Sequence, residues 1–385
     1  MPAWRNGLVR RFALVELLLQ VQFWFPVWFL FLRDLGFGIG LIVLADALFR
    51  LVVVACEVPM GILADRIGRR VAYVALAALT VVTYLAVAGV DTSVTLIGAW
   101  LLWGVQWAAA SGVGVAYLTE ALREHAPDVG LLPALGVVRG AAGLAGCASL
   151  AAAGALYAID ARLPFVVTAC CALAAVPLIL TLPRTRPPRR ARRGRLAEVR
   201  QVVADRGLLL LLTSGGLVLL YGWSVTFLFQ PLVVDQGMSA YAAAWMYAGF
   251  AGAGIVGSLL AAPAYRTCGP VALVLAFAAM VLAVAGAGVG SGLVAVLFVP
   301  VLGGCYYLAL TASEAAIAER ALDASRATAL SLVSAVAGVA IAAARPSLGL
   351  AGDRWGVSVA LLAWAVAGIP LLALLAWAVR RTVRE

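Results

Sequence analysis

Twelve apolar runs, each close to the length of a membrane-crossing helix, limit what this chain can fold into. A hydrocarbon core about 30 Å thick takes roughly 20 residues of helix. Runs near that length lie at 9–32, 39–62, 70–90, 94–118, 134–157, 162–182, 207–231, 239–263, 269–288, 291–317, 327–349 and 355–379. Of the 385 residues, 64% are hydrophobic and only 12% charged, too little polar surface for a water-soluble domain of this size. Alternation of period two is weak, which argues against a barrel. The sequence predicts an all-α membrane protein with twelve transmembrane helices.

The longest polar stretch runs from Pro183 to Arg206 and contains Arg184, Arg186, Arg189, Arg190, Arg192, Arg193 and Arg195 around Pro187-Pro188. It divides the chain into an N-terminal six-helix bundle (1–182), a basic cytoplasmic linker (183–206) and a C-terminal six-helix bundle (207–385). All 28 basic residues are Arg, and the net charge is +10. In isolation the Arg cluster could bind nucleic acid. Between two groups of apolar helices it suits anionic lipid instead, so membrane lipid is the expected partner and nucleic acid is not. The Arg bias of the loops places both termini in the cytoplasm and the chain in the cytoplasmic (inner) membrane. The first run is too long for the core of a cleaved signal and reads as a true first helix.

A faint internal repeat supports the division. Ala134-Leu135-Gly-Val-Val-Arg-Gly-Ala-Ala-Gly143 resembles Ala329-Leu330-Ser-Leu-Val-Ser-Ala-Val-Ala-Gly338. Within one residue, the same shift brings Glu120 onto Glu314. A related six-helix unit used twice would produce this.

Gly61-Ile-Leu-Ala-Asp65-Arg66-Ile-Gly68-Arg69-Arg70 joins the second and third runs. Gly61 lets helices approach or the backbone turn, and Gly68 permits a tight reversal at positive φ. Asp65 is expected near the start of the third helix, where a carboxylate favours the dipole. Arg66, Arg69 and Arg70 hold the loop in the cytoplasm. The plain alternative is a charged turn.

This segment resembles the loop between the second and third helices of major facilitator transporters. The preceding Glu57-Val58-Pro59-Met60 is similar to the Glu-Val-Pro-Thr form of a prokaryotic, twelve-helix, drug-efflux-like branch, with Met60 in place of Thr. Gly349-Leu-Ala-Gly-Asp353-Arg354-Trp-Gly356 repeats the spacing at the last turn between spans. The resemblance implies two six-helix bundles around a central path, exposing substrate alternately to each side. It implies that Asp65 is a conformational latch, with Arg123, Arg139, Glu120 and Glu314 as candidate partners. There are departures. Leu101–Gly112 lacks the Arg found in the fourth helix of many drug antiporters, and the Gly-rich fifth run lacks the antiporters' Gly-Pro pair.

Ionisable groups inside a membrane are costly and usually face an interior or a cavity. Glu16, Asp46, Arg50 and Glu57 lie within the first two runs. Asp46 and Arg50 are four residues apart and can pair on one helix face. With Gln20, Gln22 and Gln106, these residues are candidates for a polar chain across the first half. A carboxylate in apolar surroundings tends to hold a proton, so Glu16, Asp46 or Glu57 is expected to change protonation during transport. The alternative is a structural network. The second half reads as almost uncharged within its spans. Its cavity candidates are Tyr221, Gln230, Trp245 and Tyr306, which could equally fill the core or anchor helices at the headgroups.

The expected function is secondary transport of a small hydrophobic, amphipathic or cationic molecule, with proton-coupled export first. A lipid or metabolite carrier (importer or uniporter) and a non-transporting membrane protein are the alternatives. The six cysteines have no metal-ligand spacing and His125 stands alone, so no metal and no cofactor are expected. An enzyme is not expected, because reactive loop clusters are missing. There is no Lys and no nucleotide-binding loop to drive an ATP pump. The expected partners are a small-molecule substrate and protons, acting on a monomer.

Overall fold

The computed structural model describes residues 3–111, 113–185, 195–320 and 326–382, and every regular element among them is helical. The first part of the chain forms α1 (Gly7–Leu19), α2 (Trp28–Asp34), α3 (Ile39–Ile67), α4 (Arg69–Ala88), α5 (Ser93–Ala110), α6 (Val113–His125), α7 (Leu131–Ile159) and α8 (Leu163–Thr181). The second forms α9 (Arg195–Ala204), α10 (Arg206–Ser224), α11 (Phe229–Asp235), α12 (Ala240–Cys268), α13 (Val271–Val289), α14 (Leu293–Arg320), α15 (Arg326–Trp355) and α16 (Val357–Thr382).

Among the described residues, 11 stretches are long and apolar enough to cross a membrane. The expected span that is missing from this set is the first. One continuous helix over 9–32 is predicted, but the structure breaks it into α1 and α2. Pro26 explains the break. It has no N–H to donate and disfavours a helical conformation at Phe25 before it. The Gln22 N–H, left without a helical acceptor, donates to Ser149 Oγ of α7 at 2.8 Å. Trp24 O then accepts from Trp28 N at 2.9 Å as the helix resumes.

The seventh span is interrupted in a similar place. After α10, a single tight turn covers Thr226–Leu228 before α11 begins. Pro231 lies in the first turn of α11, where its missing N–H costs nothing. Together α10 and α11 still count as one span, Arg206–Asp235.

The chain divides into two compact units, Met1–Phe37 with Leu44–Arg190, and Gly38–Val43 with Ala191–Glu385. In the first unit α1 packs on α7 and α8, and α4 on α8 and α5. Its core centres on Phe12, whose ring lies 5.3 Å from Tyr117 and 5.7 Å from Tyr73. In the second unit α10 packs on α15, α14 and α16, and α13 packs on α14 and α16. Two pairings therefore recur, α1–α7 as α10–α15 and α4–α8 as α13–α16. The starts of α7 and α15, Leu131 and Arg326, carry the same offset as the repeated segments at Ala134 and Ala329.

Large apolar side chains also point outward, among them Leu144 (76% exposed) and Leu259 (73%). Such patches are expensive in water and ordinary against lipid tails. The chain is a multi-pass membrane protein.

Candidate functional site

The polar groups inside the first unit begin with one stripe on α1. Phe12, Glu16 and Gln20 are spaced four apart and share a helix face. Phe12 enters the aromatic core and carries Glu16 in beside it. Tyr73 of α4 donates its hydroxyl to Glu16 Oε1, and Gln20 Nε2 donates to Glu16 Oε2 at 3.3 Å. On α6, Gly114 makes room for this meeting. A Cβ there would lie 2.6 Å from the Tyr73 hydroxyl and 3.1 Å from Glu16 Oε1. Glu16 is half-buried, while Tyr73 is buried and Gln20 exposed.

The other candidates of this unit bond elsewhere. Glu57, half-buried on α3, accepts from the Ser111 hydroxyl at 3.0 Å. Gln106, buried on α5, donates to Thr80 Oγ at 3.0 Å, and Thr80 returns its own proton to Leu76 O. Asp46 is buried on α3, and the Arg50 guanidinium sits 5.2 Å from the Phe49 ring. Phe49, Trp24, Trp103 and Trp107 form an aromatic wall, with Trp24 and Trp103 centroids 4.5 Å apart. Glu16 and Gln20 are brought together; Glu57 and Gln106 each keep a separate partner.

The signature segment departs from its expected placement. Asp65 does not start the third span; α3 continues through it to Ile67. The helix stops because Gly68 takes φ +87°, and Arg69 opens α4. A carboxylate in the last turn of a helix is opposed by the dipole. Here Arg69, four residues on, pairs with Asp65 and offsets that cost. Arg69 Nε also reaches Glu120 Oε1 at 3.3 Å, and Thr185 donates to Glu120 Oε2 at 3.0 Å. The latch candidates Asp65, Arg69 and Glu120 therefore meet, joined by the first residues after α8. Gly61 lies in α3, Arg66 is exposed and Arg70 half-buried. Arg123 lies 3.9 Å from Glu124, and Arg139 is exposed on α7; neither pairs with Asp65. Glu314 is exposed on α14 of the second unit.

The second copy of the spacing folds in the same local way. Asp353 lies in the last turns of α15, and Gly356 takes φ +88°. Its fourth residue on is Val357, so no cation is available as Arg69 is for Asp65. Asp353 instead accepts from the Gly40 N–H at 2.7 Å, within the second unit.

The second unit also corrects the sequence reading. Its spans are not nearly uncharged, since Arg345 of α15 is only 3% exposed. Its Nη2 donates to Trp223 O at 2.8 Å and to Thr226 Oγ at 3.0 Å. The signal was in the sequence, a lone Arg before Pro346 inside an Ala-rich run. Tyr221 is buried and stacks on Trp364 at 5.6 Å, and Trp364 Nε1 donates to Tyr221 O at 3.1 Å. Gln230 and Tyr306 are buried, whereas Trp245 is 65% exposed.

At the start of α10, Asp205 caps the Leu208 N–H at 3.0 Å and takes two bonds from Arg320, at 3.1 and 3.3 Å. The hydrogen-bonded Arg320 guanidinium, aided by the Leu208 N–H, holds the Asp205 carboxyl below the usual carboxylate range. Among the described residues, no group of three His, Cys, Asp or Glu is placed to hold a metal.

A family model described as Major Facilitator Superfamily matches residues 13–310. Among solved structures, a mutant form of the nucleoside transporter NupG superposes with a TM-score of 0.84 at 14% identity, covering 97% of this chain and 100% of that one. Unaltered NupG gives 0.79 at 13% identity, with 97% and 99% covered. A bacterial homolog to the human lysosomal transporter Spinster, inward-facing and unoccupied, gives 0.79 at 15% identity, with 98% and 96% covered. At these identities the likeness speaks for the fold. No curated protein sequence matches the chain.

Proposed function

The chain belongs to the Major Facilitator Superfamily, and from that premise we propose that it carries a small hydrogen-bonding metabolite, or a lipid with such a headgroup, across the cytoplasmic membrane. It is a secondary transporter of small molecules working by alternating access, not an enzyme. The observation behind the cargo class is hydrogen-bonding equipment among the helices of both units. In the first unit Tyr73 and Gln20 meet Glu16, and Gln106 meets Thr80. In the second, the candidates are Gln230 and Tyr306, both buried. A cavity for hydrophobic cations needs fewer such groups. Likeness to a structure described as a nucleoside transporter supports the same preference. Import or uniport of a metabolite therefore takes precedence over the drug export that the sequence suggested first.

Glu16 is the coupling carboxylate in this proposal. The titratable groups around it are Tyr73, and one ring further Tyr117, 5.8 Å from Tyr73. A proton taken up by Glu16 on one side and released on the other would tie cargo movement to a proton gradient. Residues 1–182 and 207–385 are the moving halves, joined by 183–206, with both termini cytoplasmic and one chain sufficing. Asp65, Arg69 and Glu120 are the latch at the cytoplasmic ends of their helices.

The test is uptake by purified protein in proteoliposomes, with and without an imposed proton gradient. The probes are uridine, lysophosphatidylcholine and tetraphenylphosphonium. Gradient-dependent accumulation of uridine or the lysolipid is expected. Transport of tetraphenylphosphonium alone would return the exporter reading, and no movement of any probe would contradict the cargo class proposed.

A further inference from the structure

We propose that Arg345 is a positioning residue that holds the interruption between α10 and α11 in its bent form. The inference goes beyond the cargo reading and does not depend on it. Arg345 lies ten residues before α15 ends at Trp355. At about 1.5 Å per residue that is roughly 15 Å, or half the thickness of a hydrocarbon core. A cation at that depth is costly unless something specific holds it. Three contacts of the guanidinium fall on one five-residue stretch, 223–227. They are Trp223 O, Thr226 Oγ and the face of the Phe227 ring, whose centroid is 5.5 Å away.

Helix ends leave their last carbonyls without intrahelical donors. In water the solvent fills that need, but in lipid the protein must. Donors from three helices converge on the end of α10. Trp364 of α16 takes Tyr221 O, Arg345 of α15 takes Trp223 O, and Tyr247 of α12 takes Thr226 O at 2.6 Å. A cation is also the charge favoured at a helix C-terminus. Of the three donors, Arg345 alone carries that charge, and it alone also bonds the Thr226 hydroxyl. The other donors to Trp223 O, the Thr226 hydroxyl at 2.9 Å and the Val225 N–H, come from inside the turn itself.

The test is hydrogen–deuterium exchange on the full chain in lipid nanodiscs, comparing wild type, Arg345→Met and Arg345→Lys. Loss of a charged hydrogen bond at the bend should raise exchange of the amides in 221–230 about tenfold in Arg345→Met. Exchange in 17–28 and the thermal midpoint should stay near wild type. Arg345→Lys, which keeps a charge and several donors, should restore most of the protection. Unchanged exchange in 221–230, a rise spread evenly over both units, or no rescue by Lys would each overturn the assignment. Should Arg345→Met not fold, Thr226→Ala keeps the Arg345 bond to Trp223 O and removes both bonds of the hydroxyl, the one from Arg345 and the one to Trp223 O. A smaller rise confined to the same segment is then expected, and no rise would count against the proposal.

Discussion

Each unit contains an interrupted helix, α1–α2 in the first and α10–α11 in the second, and the two interruptions are satisfied from opposite sides. In the first unit the orphan is an N–H, that of Gln22, and a neutral hydroxyl from Ser149 accepts it. In the second the orphans are carbonyls, and a buried guanidinium, a phenol and an indole supply donors. The partner helices correspond, since α7 packs on α1 as α15 packs on α10. The first unit thus meets the Gln22 N–H with an uncharged acceptor and places Glu16 one turn before the break. The second unit commits its cation to the bend itself. The same backbone problem is met by a neutral acceptor in one half and by a charged donor in the other.

The comparison can be broken at several points. The largest effect is expected from Gly114→Ala, where the new methyl meets the Tyr73 hydroxyl and Glu16. Overpacking of this kind costs about 1–3 kcal/mol, read as a lower thermal midpoint together with impaired uptake. A variant as stable and active as wild type would show that the Tyr73–Glu16 meeting is dispensable.

Ser149→Ala comes next. It leaves the Gln22 N–H without its acceptor, at a cost of about 1 kcal/mol, and should loosen 20–27 in hydrogen exchange. If Ser149→Ala loosens its segment more than Arg345→Met loosens 221–230, the contrast between a light and a firm joint is reversed.

The smallest effect on stability belongs to Asp65→Asn. The Asp65 side chain is 44% exposed, and Arg69 keeps Glu120 when the pair is lost. Exposed pairs contribute about 0–1 kcal/mol. Its expected signature is slower turnover with little change in cargo affinity, measured by initial rates over a range of cargo concentrations. Unchanged turnover would remove Asp65 from the latch.

Several features were legible in the sequence because they are local. Run length and apolar content marked the membrane spans, and the Gly-x-x-x-Asp-Arg-x-Gly spacing marked two turns whose glycines take nearly the same φ, +87° and +88°. Pro26 was equally visible, but the length of the run around it outweighed the break it imposes. Asp65 was displaced by one turn because the boundary is set by Gly68 and not by the charge. Arg345 was hidden by averaging, since one Arg hardly lowers the hydropathy of an Ala-rich run. The bond between Tyr73 and Glu16 spans 57 residues of sequence, and no spacing rule reaches that far. Local chemistry fixes where helices start and stop, while pairing inside the bundle depends on which faces meet.

The most direct test of the account is the pH response of proteoliposome uptake by Glu16→Gln, set beside wild type and using whichever metabolite probe the wild type accumulates. If the titratable chemistry resides in the first unit at Glu16, uptake down a cargo gradient persists and its response to pH is flattened. A full wild-type pH response in Glu16→Gln would contradict that claim and leave Glu16 a structural partner of Tyr73.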